Sequence, residues 1–423
     1  MALISDLNRH PDEYYHFMVS KYYFNHWIPP RIGDPRVGNT YSCQGISYIN
    51  QLGVDYFLLG KFGYLINRII KDEVKSVRFF NVFLFLFILT FSFWRYKNHS
   101  ESILIFLPLL FTPQIWYVFS YINNDAFPLF LSFIAASEIT YRNSLLNKFL
   151  DSEIEWNHPK SWVGGIFFGF LLGILSISKM NYYALFLFIG FWFIYKTLQP
   201  FHRQSTMTER KNLFLKYFFI VCVAFSIFTM RYGLDILVNG WNRSERVTAY
   251  SEEIAQYPFK PSTIKYDAKN AHEGIALKER GFQYTELFSK RNWHKLSFYS
   301  LVGVYGYMNI FSTSLYYDMM FYLYGFFWIY LIFAVLIQKD VGNKVLILAV
   351  TLFILIMIFI SSYHSWVTDF QPQGRYFFPV ASIIGLLIYQ SRKDLNSFLM
   401  HSLTFAIFIL SVYSFVTIAL KHI

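Results

Sequence analysis

Charge is scarce in this sequence: only 15% of its 423 residues are Asp, Glu, Lys or Arg, whereas 55% are apolar. So few charges cannot cover the surface of an ordinary soluble domain, which excludes that class of protein. Cysteine is scarcer still, with Cys43 in a polar region and Cys222 within an apolar run. Two thiols placed so differently exclude a disulfide framework and a cysteine metal cluster. We therefore expect a membrane protein.

Acidic residues are outnumbered, 26 against 37 Lys and Arg, which gives a formal net charge of +11. In a membrane protein such an excess sits in cytoplasmic loops and beside anionic lipid headgroups. The sequence therefore predicts contact with membrane lipids and no nucleic-acid partner.

Ten apolar runs are close to the length that a helix needs to cross a bilayer, about 20 residues. Lipid leaves the backbone only internal hydrogen-bond partners, and the runs are too long for barrel strands, so we expect helices. The predicted fold class is an all-α polytopic membrane bundle. The runs are 79–94, 102–119, 126–141, 162–178, 181–197, 213–237, 315–337, 344–362, 376–390 and 397–420.

Two polar segments interrupt the apolar pattern and divide the chain into four regions. Residues 1–77 and 239–295 are each long enough to form helices but too polar to cross the bilayer. The bundle therefore falls into two parts, 78–238 and 296–423.

The charges of the short loops indicate the side of the membrane that each loop faces. One alternating set of loops holds 14 Lys and Arg, whereas the three short loops of the other set contain only Lys179 and Arg375. The positive-inside rule places the first set in the cytoplasm. The second set and both polar segments are then on the extracytoplasmic face of a cytoplasmic (inner) membrane. The basic set comprises 95–101, 142–161, 196–216, 338–344 and 391–396, and the other set 120–125, 178–180 and 361–375.

Three segments affect the number of spans. Residues 1–9 contain no apolar leader that would carry a polar segment across the membrane, so we expect that one transmembrane helix just upstream of Met1 is missing. The alternative is that 46–70 spans, although its polar residues favour an interfacial helix. Residues 296–311 are broken by glycine, and spanning there would place later basic loops outside, which favours a re-entrant or interfacial element.

The first candidate constellation is the segment 10–16, His-Pro-Asp-Glu-Tyr-Tyr-His. Pro11 and the acidic residues suit a first helical turn, so a well-started helix would explain them without any function. Alternatively, Asp12 and Glu13 supply a general base or a metal ligand at the mouth of a membrane cavity. Asp12 and His16 share a face of a regular helix, which would orient a proton acceptor.

Short extracytoplasmic turns carry the other candidates. Asp125 ends an Asn-Asn-Asp turn, where it either caps the helix beginning at Ala126 or faces a site. Lys179 and Arg375 either anchor the interface or bind a phosphate, Lys as a point charge and Arg as a two-pronged fork. We favour phosphate binding because the short outer loops contain no other basic residue.

Taken in order, these motifs resemble those of the GT-C superfamily of polytopic glycosyltransferases. More narrowly, they resemble the bacterial branch related to protein mannosyltransferases and lipid A aminoarabinose transferases. The resemblance runs from residue 10 to about residue 391. It departs from the family at the front, where members have a transmembrane helix immediately before the Asp-Glu loop. The motifs are Pro-Asp-Glu with a following His, Tyr-x-Asn-Asn-Asp, Ser-Lys-x-Asn, Gly-Val-Tyr-Gly-Tyr-Met and Gln-Gly-Arg-Tyr-x-Phe-Pro.

The resemblance implies a GT-C-like helix bundle that transfers a sugar from a polyprenyl-phosphate carrier to a glycan, lipid or protein acceptor on the extracytoplasmic face. It implies that Asp12 deprotonates the acceptor hydroxyl, or binds Mg²⁺ or Mn²⁺ in a metal-dependent member, with Glu13 as its partner. Lys179 and Arg375 would hold the carrier phosphate. The implied substrate-binding residues are His16, Asp125, Lys179 and Arg375.

Two other functions remain open. A transporter or flippase would line a passage with the same charges, but this function predicts internal repeats and midplane charges that the sequence does not contain. An O-antigen polymerase or ligase has a similar number of spans and a large outer loop. It would depend on loop arginines, here Arg243, Arg246, Arg280 and Arg291.

Overall fold

The computed structural model describes residues 1–151, 162–198 and 207–422. Two parts of the predicted cytoplasmic loops, 152–161 and 199–206, lie outside the described residues. The α-helices are α1 Glu13–Asn25, α2 Asp55–Ile70, α3 Glu73–Asn98, α4 Pro113–Val118, α5 Ala126–Thr140, α6 Leu145–Asp151, α7 Val163–Ser176, α8 Tyr183–Leu198, α9 Met207–Asn239, α10 Arg243–Ile254, α11 Pro261–Tyr266, α12 Glu286–Ser289, α13 Trp293–Gly303, α14 Ser314–Ile337, α15 Val341–Val367, α16 Phe378–Gln390, α17 Ser397–Tyr413 and α18 Leu420–His422. The 3₁₀ segments are Pro35–Thr40, Tyr48–Asn50, Ser100–Leu110, Met180–Tyr182, Tyr257–Phe259, Ala268–Asn270 and Gly374–Phe377, and a π-helical turn, Ser414–Ala419, joins α17 to α18. An antiparallel hairpin pairs β1 Val304–Tyr305 with β2 Ile310–Phe311.

Within the described residues, five helices are long and apolar enough to cross a membrane, which indicates an α-helical membrane protein. They coincide with five of the ten predicted runs. The other runs form shorter helices, among them α5, α7, α8 and α16 with 13 to 16 residues. The five long apolar segments are Glu73–Asn98, Lys211–Asn239, Ser314–Ile337, Val341–Val367 and Ser397–His422.

The run 102–119 was predicted as one helix, and this prediction is wrong. The segment forms a 3₁₀ helix, Ser100–Leu110, and then the short helix α4. Pro108 and Pro113 each remove a backbone donor, and Pro113 begins α4 after a cap by the Thr112 hydroxyl. The break turns the chain beneath the outer loops.

The helices differ in their exposure. In α5, 14 of the 15 residues are buried, so this short helix lies in the centre of the bundle. In the apolar window of α9 only 11% of residues are buried, so most of that helix is available to lipid. Helix α7 approaches α9 closely because Gly169 and Gly173 carry no side chain. A Cβ on either glycine would lie within 3 Å of α9 atoms.

Contacts between loops join members of the same predicted set. In the basic set, Arg392 pairs with Glu101, and Asn343 donates to Asp394 at 2.8 Å. In the other set, the Val54 amide donates to the Ile177 carbonyl at 3.2 Å. The two loop sets therefore form opposite ends of the bundle, here called the inner and outer ends.

Both ambiguous segments start and finish at the outer end. Helix α2 begins beside Ile177 and ends where α3 starts, near Arg78, which contacts the first polar segment. Helix α13 begins with Trp293 bonded to Ser365, and the hairpin after it reaches Asn8 through Tyr307. This geometry agrees with interfacial elements at 46–70 and 296–311.

The second polar segment covers the outer end and touches two other outer segments. The Ser251 hydroxyl donates to the Gly45 carbonyl at 2.7 Å, and the Gln256 amide to the Cys43 carbonyl at 3.0 Å. Farther along, the Ala276 amide donates to the Thr368 carbonyl at 3.0 Å. Residues 239–295 therefore link 1–77 to the loop that carries Arg375.

Candidate active site

Asp125 is the centre of a buried group of charged side chains at the outer end. Its carboxylate is 0% exposed, accepts a hydrogen bond from the Lys179 Nζ at 2.5 Å and lies 3.3 Å from the Arg375 Nη1. The Lys179 and Arg375 side chains are only 16% and 12% exposed, so all three charged side chains are largely buried.

Local turn chemistry leaves the Asp125 carboxylate available for these cations. The Asn123 side chain, rather than that of Asp125, caps α5 by accepting from the backbone amides of Asp125 and Ala126 at 2.8 and 3.1 Å. The Asp125 side chain makes no cap hydrogen bond. The capping explanation considered for Asp125 therefore applies to Asn123.

Asp55, the first residue of α2, completes this group, and sequence interpretation missed it. It is 1% exposed, and neither of its carboxylate oxygens has a hydrogen-bond partner among the described residues. Burial raises the pKa of Asp55 to about 7, an effect that Lys179 opposes and Asp125 reinforces. We call Asp55, Asp125, Lys179 and Arg375 the outer ionic cluster.

The two cations respond differently to burial. Burial lowers the pKa of Lys179, and the nearby Arg375 adds to this effect while Asp125 opposes it. For Arg375 burial is the largest single effect and lowers the pKa, but Asp125 and the neighbouring tyrosines together outweigh it, so the pKa is raised. The Arg375 Nε also donates to the Gln373 Oε1 at 2.5 Å, which fixes the guanidinium orientation.

Asp12 lies at the rim of the same region. Its carboxylate is partly exposed and accepts a hydrogen bond from the Tyr48 hydroxyl at 2.9 Å. Burial raises the pKa of Tyr48, Asp12 raises it further, and Arg375 opposes the shift. Tyr48 is thus electrostatically coupled to both Asp12 and Arg375. It links the rim acid to the cluster.

His16 packs behind Tyr48 instead of bonding to Asp12 through its ring. The imidazole is stacked on Tyr48 with ring centroids 4.2 Å apart, and its Nδ1 pairs with the Tyr56 hydroxyl at 2.7 Å. Burial, together with Arg375 and Lys179, lowers the pKa of His16 well below its usual value. The neutral ring therefore supports Tyr48 and, through it, the Asp12 carboxylate.

Glu13 is completely buried and points away from the rim. Arg78 donates to both of its carboxylate oxygens at 2.8 Å, and the backbone amides of Ile122 and Asn8 donate at 3.2 and 3.3 Å. Arg78 also donates to the Ser5 carbonyl at 2.6 Å. Glu13 therefore ties α1 to α3 and to the turn before Asp125.

The Glu13–Arg78 pair has a counterpart at the inner end. Arg95 pairs with Glu138, and their side chains are 4% and 2% exposed. In both pairs one acid matches one arginine. Asp125 instead faces two cations. The outer ionic cluster differs from the two buried arginine–glutamate pairs because its second acid, Asp55, has a pKa raised to about 7, so its two cations are fully balanced only when Asp55 is ionised.

Metal ligands are not assembled in the part of the chain that the structure describes, because it contains no group of three or more His, Cys, Asp or Glu side chains suited to a metal ion. Asp12 is the residue for which a metal was considered. Its carboxylate accepts a hydrogen bond from the Tyr48 hydroxyl.

The structure brings together Asp12, His16, Asp125, Lys179 and Arg375, which the sequence had selected from separate motifs. Asp55 had a weak signal, an acid at the start of an apolar helix. Tyr48 had none, because its role depends on contacts with residues far along the chain. No family model, curated protein or solved structure matches this chain.

Proposed function

We propose that this protein is a membrane glycosyltransferase that moves a sugar from a polyprenyl-phosphate carrier to an acceptor hydroxyl at the outer end of the bundle. The proposal is carried by one observation: a partly exposed carboxylate, Asp12, lies beside a buried cluster in which Lys179 and Arg375 outnumber Asp125. A base beside paired cations is the arrangement that transfer from a phosphate leaving group requires.

The proposed reaction balances as a displacement at the anomeric carbon. Asp12 takes the proton of the acceptor hydroxyl as its oxygen forms a bond to that carbon. The bond between the carbon and the carrier phosphate breaks, and polyprenyl phosphate leaves with an additional negative charge. Lys179 and Arg375 stabilise that charge most strongly as the bond breaks, which lowers the barrier.

The other residues have supporting roles in this proposal. Glu13 positions Asp12 through its bonds to Arg78 and does not act on substrate, since its oxygens already accept from protein donors. His16 positions Tyr48, and Asp125 orients the two cations. The carrier chain occupies the surrounding lipid, and the reaction takes place on the extracytoplasmic side of the inner membrane.

A role for Mg²⁺ or Mn²⁺ at Asp12 stays a prediction. The described residues contain no group of three or more His, Cys, Asp or Glu side chains suited to a metal, although Mg²⁺ needs only one or two carboxylates beside water and substrate phosphate. The proposed mechanism is written with the protein side chains alone.

The arginines that a polymerase or ligase would use are mostly engaged within the protein. Arg243 pairs with Asp235 at 2.7 Å, and Arg280 donates to the Ala271 carbonyl at 3.0 Å. Arg291 donates to the Glu273 carbonyl at 3.2 Å. These contacts favour the glycosyltransferase over the ligase, and the acids and cations paired at the outer end favour it over a transporter.

The test uses membranes supplied with labelled polyprenyl-phosphate sugars. Wild-type protein should release polyprenyl phosphate, and Asp12→Asn should reduce turnover by about 10²–10⁴-fold, as expected for a general base. The matched control is Asp318→Asn, which removes an exposed acid near the start of α14. Equal turnover by wild type and Asp12→Asn would remove Asp12 from the mechanism.

A second pair of variants tests the cations. Arg375→Ala should chiefly lower turnover of the lipid-linked donor, because it removes a charge interaction that is strongest as the bond to the phosphate breaks. Arg246→Ala, which removes an exposed arginine of α10, should leave it unchanged. If only Arg246→Ala loses activity towards the lipid-linked donor, the result would favour the ligase.

A further inference from the structure

A cavity of about 610 Å³ opens at the outer end beside the hairpin. Its walls combine amide, aromatic and basic side chains with one aliphatic residue and one glycine: Asn8, Asn309, Tyr307, Phe311, Arg9, His422, Ile310 and Gly306. The volume falls within the usual range for small-molecule sites, about 300–1,000 Å³.

The cavity adjoins Asp12. The Tyr307 hydroxyl donates to the Asn8 Oδ1. The backbone amide of Asn8 donates to the carboxylate of Glu13, the residue after Asp12. Partial burial raises the pKa of Tyr307, and the carboxylates of Asp12 and Glu13 raise it further. Tyr307 is therefore close enough to Asp12 to respond to its charge.

A hydrogen-bonded chain holds the hairpin in register with Asp12. The Gly306 amide donates to the Tyr117 hydroxyl at 3.1 Å, and that hydroxyl pairs with the His10 Nδ1 at 2.9 Å. Burial lowers the pKa of His10 to about 3, so the ring stays neutral in this pair. On the other side, the buried Tyr305 hydroxyl pairs with the Ser414 hydroxyl at 2.9 Å.

Two aromatic rings of the hairpin are exposed, Tyr307 at its tip and Phe311 at the end of β2. Tyr307 is 49% exposed and Phe311 47% exposed, although both belong to a rigidly held hairpin. Rigid exposed rings beside amides suit a sugar, because the C–H face of a sugar ring packs on an aromatic ring. An amide both donates and accepts, as the hydroxyls of a sugar require.

We propose that this cavity binds the acceptor as a carbohydrate, with Tyr307 and Phe311 as the platform for its ring and Asn8 and Asn309 as partners for its hydroxyls. The inference rests on the proposed glycosyltransferase function and selects the glycan among the glycan, lipid and protein acceptors. A lipid acceptor would require a continuous apolar wall, which the two amides and Arg9 interrupt. A peptide acceptor would pair with a longer strand edge than these two-residue strands offer.

The experiment measures binding of methyl glycosides of glucose, galactose, mannose and glucuronic acid to the purified full chain in detergent, by saturation-transfer NMR and titration. Wild type should bind at least one of them, and Tyr307→Ala should weaken it about tenfold. Tyr307→Phe, which keeps the ring, should bind within about twofold of wild type. The matched control is Tyr266→Ala, which removes a ring that is 77% exposed on α11 and should have no effect.

Absence of binding to all four glycosides, or equal binding by wild type and Tyr307→Ala, would overturn the proposal. Release of polyprenyl phosphate is measured on the same preparations. Sugar binding through Tyr307 without any such release would refute the glycosyltransferase and leave the carbohydrate site standing. If polyprenyl phosphate is still released while no glycoside binds, the carbohydrate site is refuted and the glycosyltransferase function stands. The acceptor would then be a lipid or a protein.

Discussion

Replacing Glu13 with Gln tests whether the buried pair positions Asp12. The Glu13 carboxylate accepts from the Arg78 Nε and Nη2, both at 2.8 Å, and from the Ile122 amide at 3.2 Å. A glutamine keeps the shape but loses the charge and places an NH₂ group against the guanidinium. Arg78, whose side chain is 1% exposed, would then be a buried cation without a counter-charge.

Breaking a buried ion pair from one side costs about 3–5 kcal/mol, and we expect Glu13→Gln to lower the free energy of unfolding by this amount. Turnover should also fall. Asp12, which precedes Glu13, has a left-handed backbone with φ of 57°. Since this conformation is costly for a residue other than glycine, Asp12 should relax once Glu13 no longer holds the start of α1.

Glu138→Gln is the matched control, because it breaks the Arg95–Glu138 pair at the inner end. That pair is buried to a similar degree, at 4% and 2% exposure. The stability loss should be comparable, again about 3–5 kcal/mol. Turnover per folded molecule should remain at the wild-type level because the inner pair is at the opposite end from Asp12.

The assay combines denaturation in mixed micelles, followed by tryptophan fluorescence, with polyprenyl phosphate release under conditions in which both variants are folded. Adding Arg78→Met to Glu13→Gln should recover part of the stability, because the unpaired charge disappears. Strictly additive losses in the double variant would refute the reasoning on the ion pair. Equal turnover by Glu13→Gln and Glu138→Gln would refute the positioning role.

Three further outcomes follow from single features of the fold. Burial raises the pKa of Asp55 from 3.8 to about 7, so the unfolded chain loses this proton at a lower pH than the folded chain. The free energy of unfolding should therefore fall as the pH rises from about 4 to 7. Denaturation at several pH values should show a smaller change in this free energy for Asp55→Asn than for wild type. Gly374→Ala should lower the free energy of unfolding by about 1–3 kcal/mol, since a Cβ would lie 2.1 Å from the Leu301 nitrogen, and a stability equal to wild type would contradict this close packing. Cys43 is exposed, and in a Cys222→Ser chain it should react with a membrane-impermeant maleimide on intact bacterial spheroplasts, whereas reaction only after permeabilisation would put residues 1–77 in the cytoplasm.

Helical structure could be predicted because an apolar run of spanning length leaves the backbone few alternatives. The break in 102–119 could have been predicted too, since Pro108 and Pro113 are visible in the sequence and neither can donate a backbone hydrogen bond. In this segment the two prolines determine the structure more than the total length of the apolar run does. The segment 46–70 was expected to be interfacial because it contains polar residues. One of them, Asp55, has a buried side chain that interacts electrostatically with Lys179.

The site could be predicted only where a residue type is rare in its surroundings. Lys179 and Arg375 stood out because the other short outer loops contain no basic residue. Asp125 stood in a turn where helix capping explained it equally well, and only the structure assigns the cap to Asn123. Tyr48 became evident only through the long-range fold that places it beside Asp12.

The charge of the outer ionic cluster gives Asp55 a role in the proposed reaction. Lys179 and Arg375 against Asp125 leave one positive charge in excess, which ionised Asp55 would cancel. Burial raises the pKa of Asp55 to about 7, so near neutral pH the cluster lies between these two states. A phosphodiester donor carries one negative charge and therefore binds best when Asp55 is protonated. Because an uncompensated buried charge is costly, the cluster is stabilised by such an anion in a way that the closed Glu13–Arg78 and Arg95–Glu138 pairs are not.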